Sequence, residues 1–305
     1  MSTYSIVLQA MAKCSTTACD EKMALDAEAV LQKMHQKSHN TNINTNSIRH
    51  NKPNTIDYNH VMECWVHAGN PKKATHFLNE IIQLYQSDPI RYASLQPNLS
   101  IYSTAIHGWT KKGTSSPSSD AAMEAQALLS QMEGQLLVQN SVTTNSHNPL
   151  LRPTNDPGVV IVYGSVMNCW AKSGHPDAAE MAEGILNNMI QNSNMNSAAI
   201  FVQPNTQIYN IVINAWANSK KKHASDKAME ILSKMEQHPN NDKSSSTQKP
   251  DTITYNTVIK ALVNSNGGVK AAIQSEQLLH TMLMQQNDDA SNTNKNVKPD
   301  VVTYT

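Results

Sequence analysis

Aromatic side chains are scarce in this chain: two Phe, nine Tyr and four Trp among 305 residues. That supply is thin for a single large core, whereas stacked helical hairpins need only a narrow apolar seam between neighbours. Cysteine is also sparse. Cys14, Cys19, Cys64 and Cys169 form no Cys-x-x-Cys pair and have no regular His partner, which argues against a zinc ribbon or a disulfide framework. Cys64 and Cys169 each precede a Trp in an apolar stretch and read as plain buried thiols. Excess charge of either sign is missing, since Lys+Arg and Asp+Glu both total 24. Neutrality weighs against a strongly basic nucleic-acid surface and leaves only local patches. No apolar run approaches the ~20 residues that cross a bilayer, and the opening MSTYSIVLQAMAK has the pattern of neither a signal peptide nor an Arg-rich transit peptide. There is no Gly-rich phosphate loop, no His-Glu-x-x-His, no nucleophile elbow and no recurring carboxylate cluster. The chain therefore reads as a non-enzyme with no cofactor, no metal site, no small-molecule substrate and no membrane span.

What is present is a repeat. Tyr4, Tyr58, Tyr102, Tyr163, Tyr209, Tyr255 and Tyr304 each head a similar segment, among them DYNHVMECWVHAG, VYGSVMNCWAKSG and TYNTVIKALVNS. Seven residues after the tyrosine stand Met11, Trp65, Trp109, Trp170, Trp216 and Leu262, so all four tryptophans share one repeat position. The tyrosine, the pair three and four residues on (such as Val61/Met62 and Val212/Ile213) and the tryptophan give the i, i+3, i+4, i+7 spacing of one helix face, helix A. A second block of helical spacing follows each first one, such as AEAVLQKM, AQALLSQM and AMEILSKM, and forms helix B. Between them lie breakers. Gly69, Gly174 and Gly267 suit helix C-caps, and Pro71 and Pro176 suit a helix start. Such αα-hairpins hide their apolar faces only by stacking, and six complete pairs exceed the ~3 needed. The expected fold is all-α, an α-solenoid of helix-turn-helix repeats at about 1–53, 54–97, 98–158, 159–204, 205–250 and 251–299, with a further one starting at 300–305. Segments 38–52, 138–157, 238–248 and 287–297 are rich in Asn, Ser, Thr, Gln and Asp and read as flexible insertions. The array begins and ends at a tyrosine with no capping helix, as an excerpt of a longer array would.

Before most tyrosines stands a short phrase: KPNTIDY, QPNLSIY, QPNTQIY, KPDTITY and KPDVVTY. Together with the helix A that follows, most clearly KPDTITYNTVIKALV at 249–263, it resembles the Pro-Asp junction of the pentatricopeptide repeat family. The tetratricopeptide family has Trp early and Tyr late in helix A, the reverse of the order here. PGVVIVY before Tyr163 departs from the junction pattern. The resemblance implies a right-handed superhelix that binds single-stranded RNA, one base per repeat.

By that resemblance, the residue after the tyrosine meets the base edge together with the junction residue four before the next tyrosine. The couples are Ser5 with Asn54, Asn59 with Asn98, Ser103 with Val159, Gly164 with Asn205, Asn210 with Asp251 and Asn256 with Asp300, and Thr305 opens the next. Asn carries donor and acceptor, Asp only acceptors, and Gly and Val neither, so the repeats differ in what they can read. Asn or Asp after Pro is also an ordinary helix N-cap. The family implies base sandwiching two residues before the tyrosine, at Ile56, Ile161, Ile253 and Val302, and phosphate contact at Lys13, Lys111 and Lys172, with His67 in their row. The Tyr and Trp rings belong to the core. The function implied is an RNA-binding adaptor in mitochondrial or plastid RNA processing, stability, editing or translation, with further protein partners allowed. The alternative is a protein-binding scaffold whose groove holds a peptide or partner helix.

Overall fold

The computed structural model of the protein describes residues 2–14, 21–40, 52–116, 118–142, 157–194, 202–236, 248–265, 267–287 and 297–304. These residues hold twelve α-helices and no strand: α1 (Thr3–Cys14), α2 (Glu21–Asn40), α3 (Thr55–His67), α4 (Pro71–Ser87), α5 (Leu99–Ser115), α6 (Ser119–Val142), α7 (Pro157–Lys172), α8 (Ala178–Asn194), α9 (Thr206–Asn218), α10 (Ala224–Glu236), α11 (Thr252–Asn264) and α12 (Gly268–Asn287). Odd helices are the A helices of the repeat and even ones the B helices. The chain divides into two compact units, one of residues 1–116 with 120–152, the other of 117–119 with 153–305.

Within each unit the packing follows from the apolar stripe. In the first, α1, α3 and α5 lie side by side, α2 packs against α1 and α3, and α4 against α3 and α5. In the second, α7, α9 and α11 repeat the arrangement, α8 lying against α7 and α9 and α10 against α9 and α11. Within their units α2, α4, α8 and α10 thus each cover their own A helix and the next, the arrangement of a solenoid. Tyr58, Val61, Met62 and Trp65 are at most 1% exposed, as are Tyr209, Val212, Ile213 and Trp216. The indole N–H of Trp109 donates to Thr75 Oγ1 on α4 (2.9 Å), and that of Trp216 to Glu183 Oε2 on α8 (3.0 Å). Trp109 and Trp216 therefore join their own repeats to the ones before them. On the B helices and the turns that lead into them, acids of one repeat meet lysines 41 to 45 residues on: Glu28 with Lys73 (3.2 Å), Asp177 and Glu180 with Lys221, and Glu183 with Lys227 (3.1 Å).

The junctions are tied from repeat to repeat as well. The carbonyl of the residue before the junction proline takes a donor from the first threonine of the preceding helix A. Thr55 Oγ1 donates to Gln96 O (3.2 Å), Thr206 Oγ1 to Lys249 O (2.8 Å) and Thr252 Oγ1 to Lys298 O (3.0 Å).

Three details depart from the expected layout. α7 begins at Pro157, before its tyrosine by more than any other A helix of the array, because Val159 and Val160 offer no side-chain oxygen to end the helix there. α2 runs to Asn40 and α6 to Val142, so the first residues of two expected loops are helical; the rest of 38–52 and 138–157 lies outside the described residues up to 51 and 156. Most of 238–248 and 287–297 is likewise outside them. Gly69 and Gly174 take the left-handed backbone expected of a C-cap (φ 77° and 72°), but in the last turn Gly268 does so (φ 55°) rather than Gly267. Pro71 opens α4, whereas Pro176 sits in the turn two residues before α8.

Eleven residues after the tyrosine, where Gly69 and Gly174 stand, the fifth repeat has Lys220, also left-handed at φ 56°. That backbone costs a side-chain-bearing residue about 1–2 kcal/mol. No atom lies within 4 Å of a Cβ added at Gly69 or Gly174, so their requirement is conformational rather than steric. Lys220→Gly is expected to stabilise the chain by up to about 1 kcal/mol, and Gly69→Ala or Gly174→Ala to destabilise it by a similar amount. Denaturant midpoints moving the same way in both cases would contradict this.

Candidate nucleic-acid interface

The junction residues are helix caps first. Asn54 Oδ1 accepts from the N–H of Ile56 and Asp57 (2.8 and 3.1 Å), Asn98 from Ile101 (3.2 Å), Asn205 from Ile208 (3.0 Å) and Asp251 from Thr254 (2.8 Å). Asp300 accepts from Thr303 in the same way (3.1 Å). Because the cap fixes where helix A starts, it also fixes the position one past the tyrosine.

Two of the expected couples meet directly. Asn210 Nδ2 donates to Asp251 Oδ1 (3.1 Å), and Asn256 Nδ2 to Asp300 Oδ1 (2.9 Å). Asp251 Oδ2 makes no hydrogen bond among the described residues, while Asn210 Oδ1 is buried and unpaired. Asn59 behaves differently. Its Nδ2 donates to Glu63 Oε1 (2.8 Å) and its Oδ1 accepts from Thr104 Oγ1 (2.8 Å), so both ends of the amide are engaged away from Asn98. Ser5 is buried with its Oγ 3.0 Å from that of Ser2. A side chain at Gly164 would meet Ile208 Cδ1 at 3.1 Å, so the next repeat's isoleucine fills the space beside it. Ser103 is half-buried; its expected partner Val159 is buried inside α7. Thr305 lies outside the described residues, as does the side chain of Val302.

The expected sandwich positions stand out. Ile56, Ile161 and Ile253 are 55%, 65% and 62% exposed, although the isoleucines one place before the tyrosine, Ile101 and Ile208, are buried. Three large aliphatic side chains are thus left in water at one repeat position. Lys13, Lys111 and Lys172 are exposed near the C-terminal ends of their helices.

Several side chains around these positions were not foreseen. Thr254 and Thr303 bond to the aspartates of both direct couples, and the pattern Asp-x-x-Thr of a capping box was the signal for them. Glu63 places a carboxylate beside Asn59, with its other oxygen 3.3 Å from His60 Nδ1. Four residues beyond the couple on α9 and α11, Lys260 Nζ lies 3.5 Å from Asn214 Oδ1. Among the described residues no cluster of His, Cys, Asp and Glu suits a metal ion, and no helix is long and apolar enough to cross a membrane. Cys64 and Cys169 are buried, and burial pushes the Cys169 thiol up to about 11 although Lys172 opposes it, which keeps it protonated.

His67 and His107 sit near Lys111. Burial, and then the Lys111 charge, hold both imidazoles below their ordinary range, and for His67 the Glu63 carboxylate works in the opposite direction. The unfolded chain therefore takes up protons first as pH falls through about 6.5, and stability falls with it until the folded imidazoles titrate too. The denaturant midpoint is expected to drop from pH 7 to 5.5, and a His67→Gln, His107→Gln chain to lose part of that drop; an unchanged slope would exclude these two as its source.

Residues 194–265, which span α9, α10 and α11, match the model of a family described as a pentatricopeptide repeat domain. No curated protein matches the chain.

Proposed function

From the premise that this chain carries a pentatricopeptide repeat domain, we propose that it is a sequence-selective binder of single-stranded RNA. One observation carries the reading: Asn210 with Asp251 and Asn256 with Asp300 form hydrogen-bonded couples one repeat apart, and exposed Ile253 stands two residues before Tyr255, between them in the chain. An aliphatic platform holds a base face while an amide and a carboxylate meet its edge. The pattern of one donor with one acceptor fits the Watson–Crick edge of uracil, which offers carbonyl oxygens on either side of an N–H. The fifth and sixth repeats are thus the principal readers. The fourth lacks a side chain at Gly164, the first has buried Ser5, and the second has committed Asn59 to Glu63 and Thr104.

Lys13, Lys111 and Lys172 supply phosphate contacts, so affinity falls as salt rises with a slope of about −0.7 per contact. Acting without chemistry of its own, such an adaptor guides processing, stability, editing or translation of a transcript, in mitochondria or plastids as the repeat family suggests.

Selection from a pool of single-stranded RNAs is expected to enrich uridine at two adjacent positions, opposite the fifth and sixth repeats. Asn256→Thr is expected to move one of the two toward guanine while the other stays. A pool that emerges without preference at either position, or that binds only a peptide partner, would replace this function with that of a protein scaffold.

A further inference from the structure

The two couples that meet directly share a residue the others lack. Three places after Asp251 and Asp300 stand Thr254 and Thr303, whereas three places after Asn98, which makes no bond to Asn59, stands Ile101.

Each threonine closes a small ring with its aspartate. The Thr254 N–H and hydroxyl both donate to Asp251 Oδ1 (2.8 and 2.8 Å), and its Oγ1 accepts the Asp251 N–H (3.0 Å). Thr303 does the same with Asp300, at 3.1, 3.1 and 2.9 Å. The terminal torsion of a carboxylate is soft when a single bond holds it. Two donors on one oxygen fix it. Oδ1 then faces the asparagine amide of the preceding repeat, and at Asp251 Oδ2 stays clear as an acceptor.

The hydroxyl has a second station. Thr303 Oγ1 lies 2.7 Å from Asn256 Oδ1 as well as 3.1 Å from Asp300 Oδ1, and it has one proton to give. On asparagine the proton masks the amide acceptor; on aspartate it releases it. The fifth repeat holds the second setting, with the Thr254 hydroxyl on Asp251 and Asn210 Oδ1 unpaired.

We propose that Thr254 and Thr303 are positioning residues that set base selectivity, by fixing the carboxylate of each couple and by masking or releasing the asparagine carbonyl. The inference rests on the base-reading function proposed above and adds a third side chain to each reading position.

The test uses the full chain and a single-stranded RNA pool randomised at the two nucleotides opposite the fifth and sixth repeats. Thr303→Val keeps the shape and removes the hydroxyl. It is expected to lower the preference at the sixth repeat's nucleotide about tenfold and leave the fifth repeat's unchanged. Thr254→Val should do the reverse, and Thr→Ser should restore each preference. If the wild type is selective and both valine variants keep its preferences, or lose them equally at both nucleotides, the threonines are only caps and the proposal fails while base reading stands. A wild type without preference at either nucleotide removes both. Thr254 is fully buried, so should Thr254→Val not fold, the Thr303→Val and Thr303→Ser pair decides the matter.

Discussion

A helix hairpin with one apolar face cannot stand in water alone, and in this chain the constraint falls on the stripe of helix A that runs from tyrosine to tryptophan. A tryptophan of that stripe is worth about 2–3 kcal/mol when covered, and at α3, α5 and α9 the cover includes the B helix of the preceding repeat. Trp109 and Trp216 make this explicit by donating to Thr75 and Glu183 across the boundary. Stacking is therefore the condition for folding, and the columns of side chains on the uncovered side of helix A follow from it. A candidate interface exists because one face of each A helix had to be buried.

The junction residue answers two demands with one side chain. As a cap it must turn an oxygen toward the helix start; as half of a couple it must offer polar atoms to a partner 41 or 44 residues earlier. Asparagine with a single N–H bond, as at Asn98 and Asn205, meets the first demand only. Asp251 and Asp300 do both, one carboxylate oxygen accepting from the helix start and from the asparagine amide together. Where the partner is Asn59, already held by Glu63 and Thr104, or Gly164, with no side chain, no such pair forms.

Much of this was legible in the residues. The i, i+3, i+4, i+7 stripe identified every A helix, because a buried face admits few substitutions. The phrases KPDTITY and QPNTQIY located the caps, because only a short polar side chain after proline starts a helix well. Ile56, Ile161 and Ile253 were placed by family likeness, and their exposure in the fold is not something periodicity could supply. What stayed hidden depends on neighbours distant in sequence. That Ile208 occupies the space beside Gly164, or that Glu63 and Thr104 absorb the Asn59 amide, cannot be deduced from one repeat. Val159 in place of a cap allowed α7 to run back to Pro157, a case where a missing oxygen lengthened a helix.

The ion pairs between successive B helices give the chain a direction. The acids Glu28, Asp177, Glu180 and Glu183 look forward along the array and the lysines Lys73, Lys221 and Lys227 look back. The fifth repeat carries both halves of the pattern, Lys221 and Lys227 toward the fourth and Asp226 toward Lys270 of the sixth. Inverted, it would set carboxylate against carboxylate. Charge of this kind sets the sense in which neighbouring repeats follow one another.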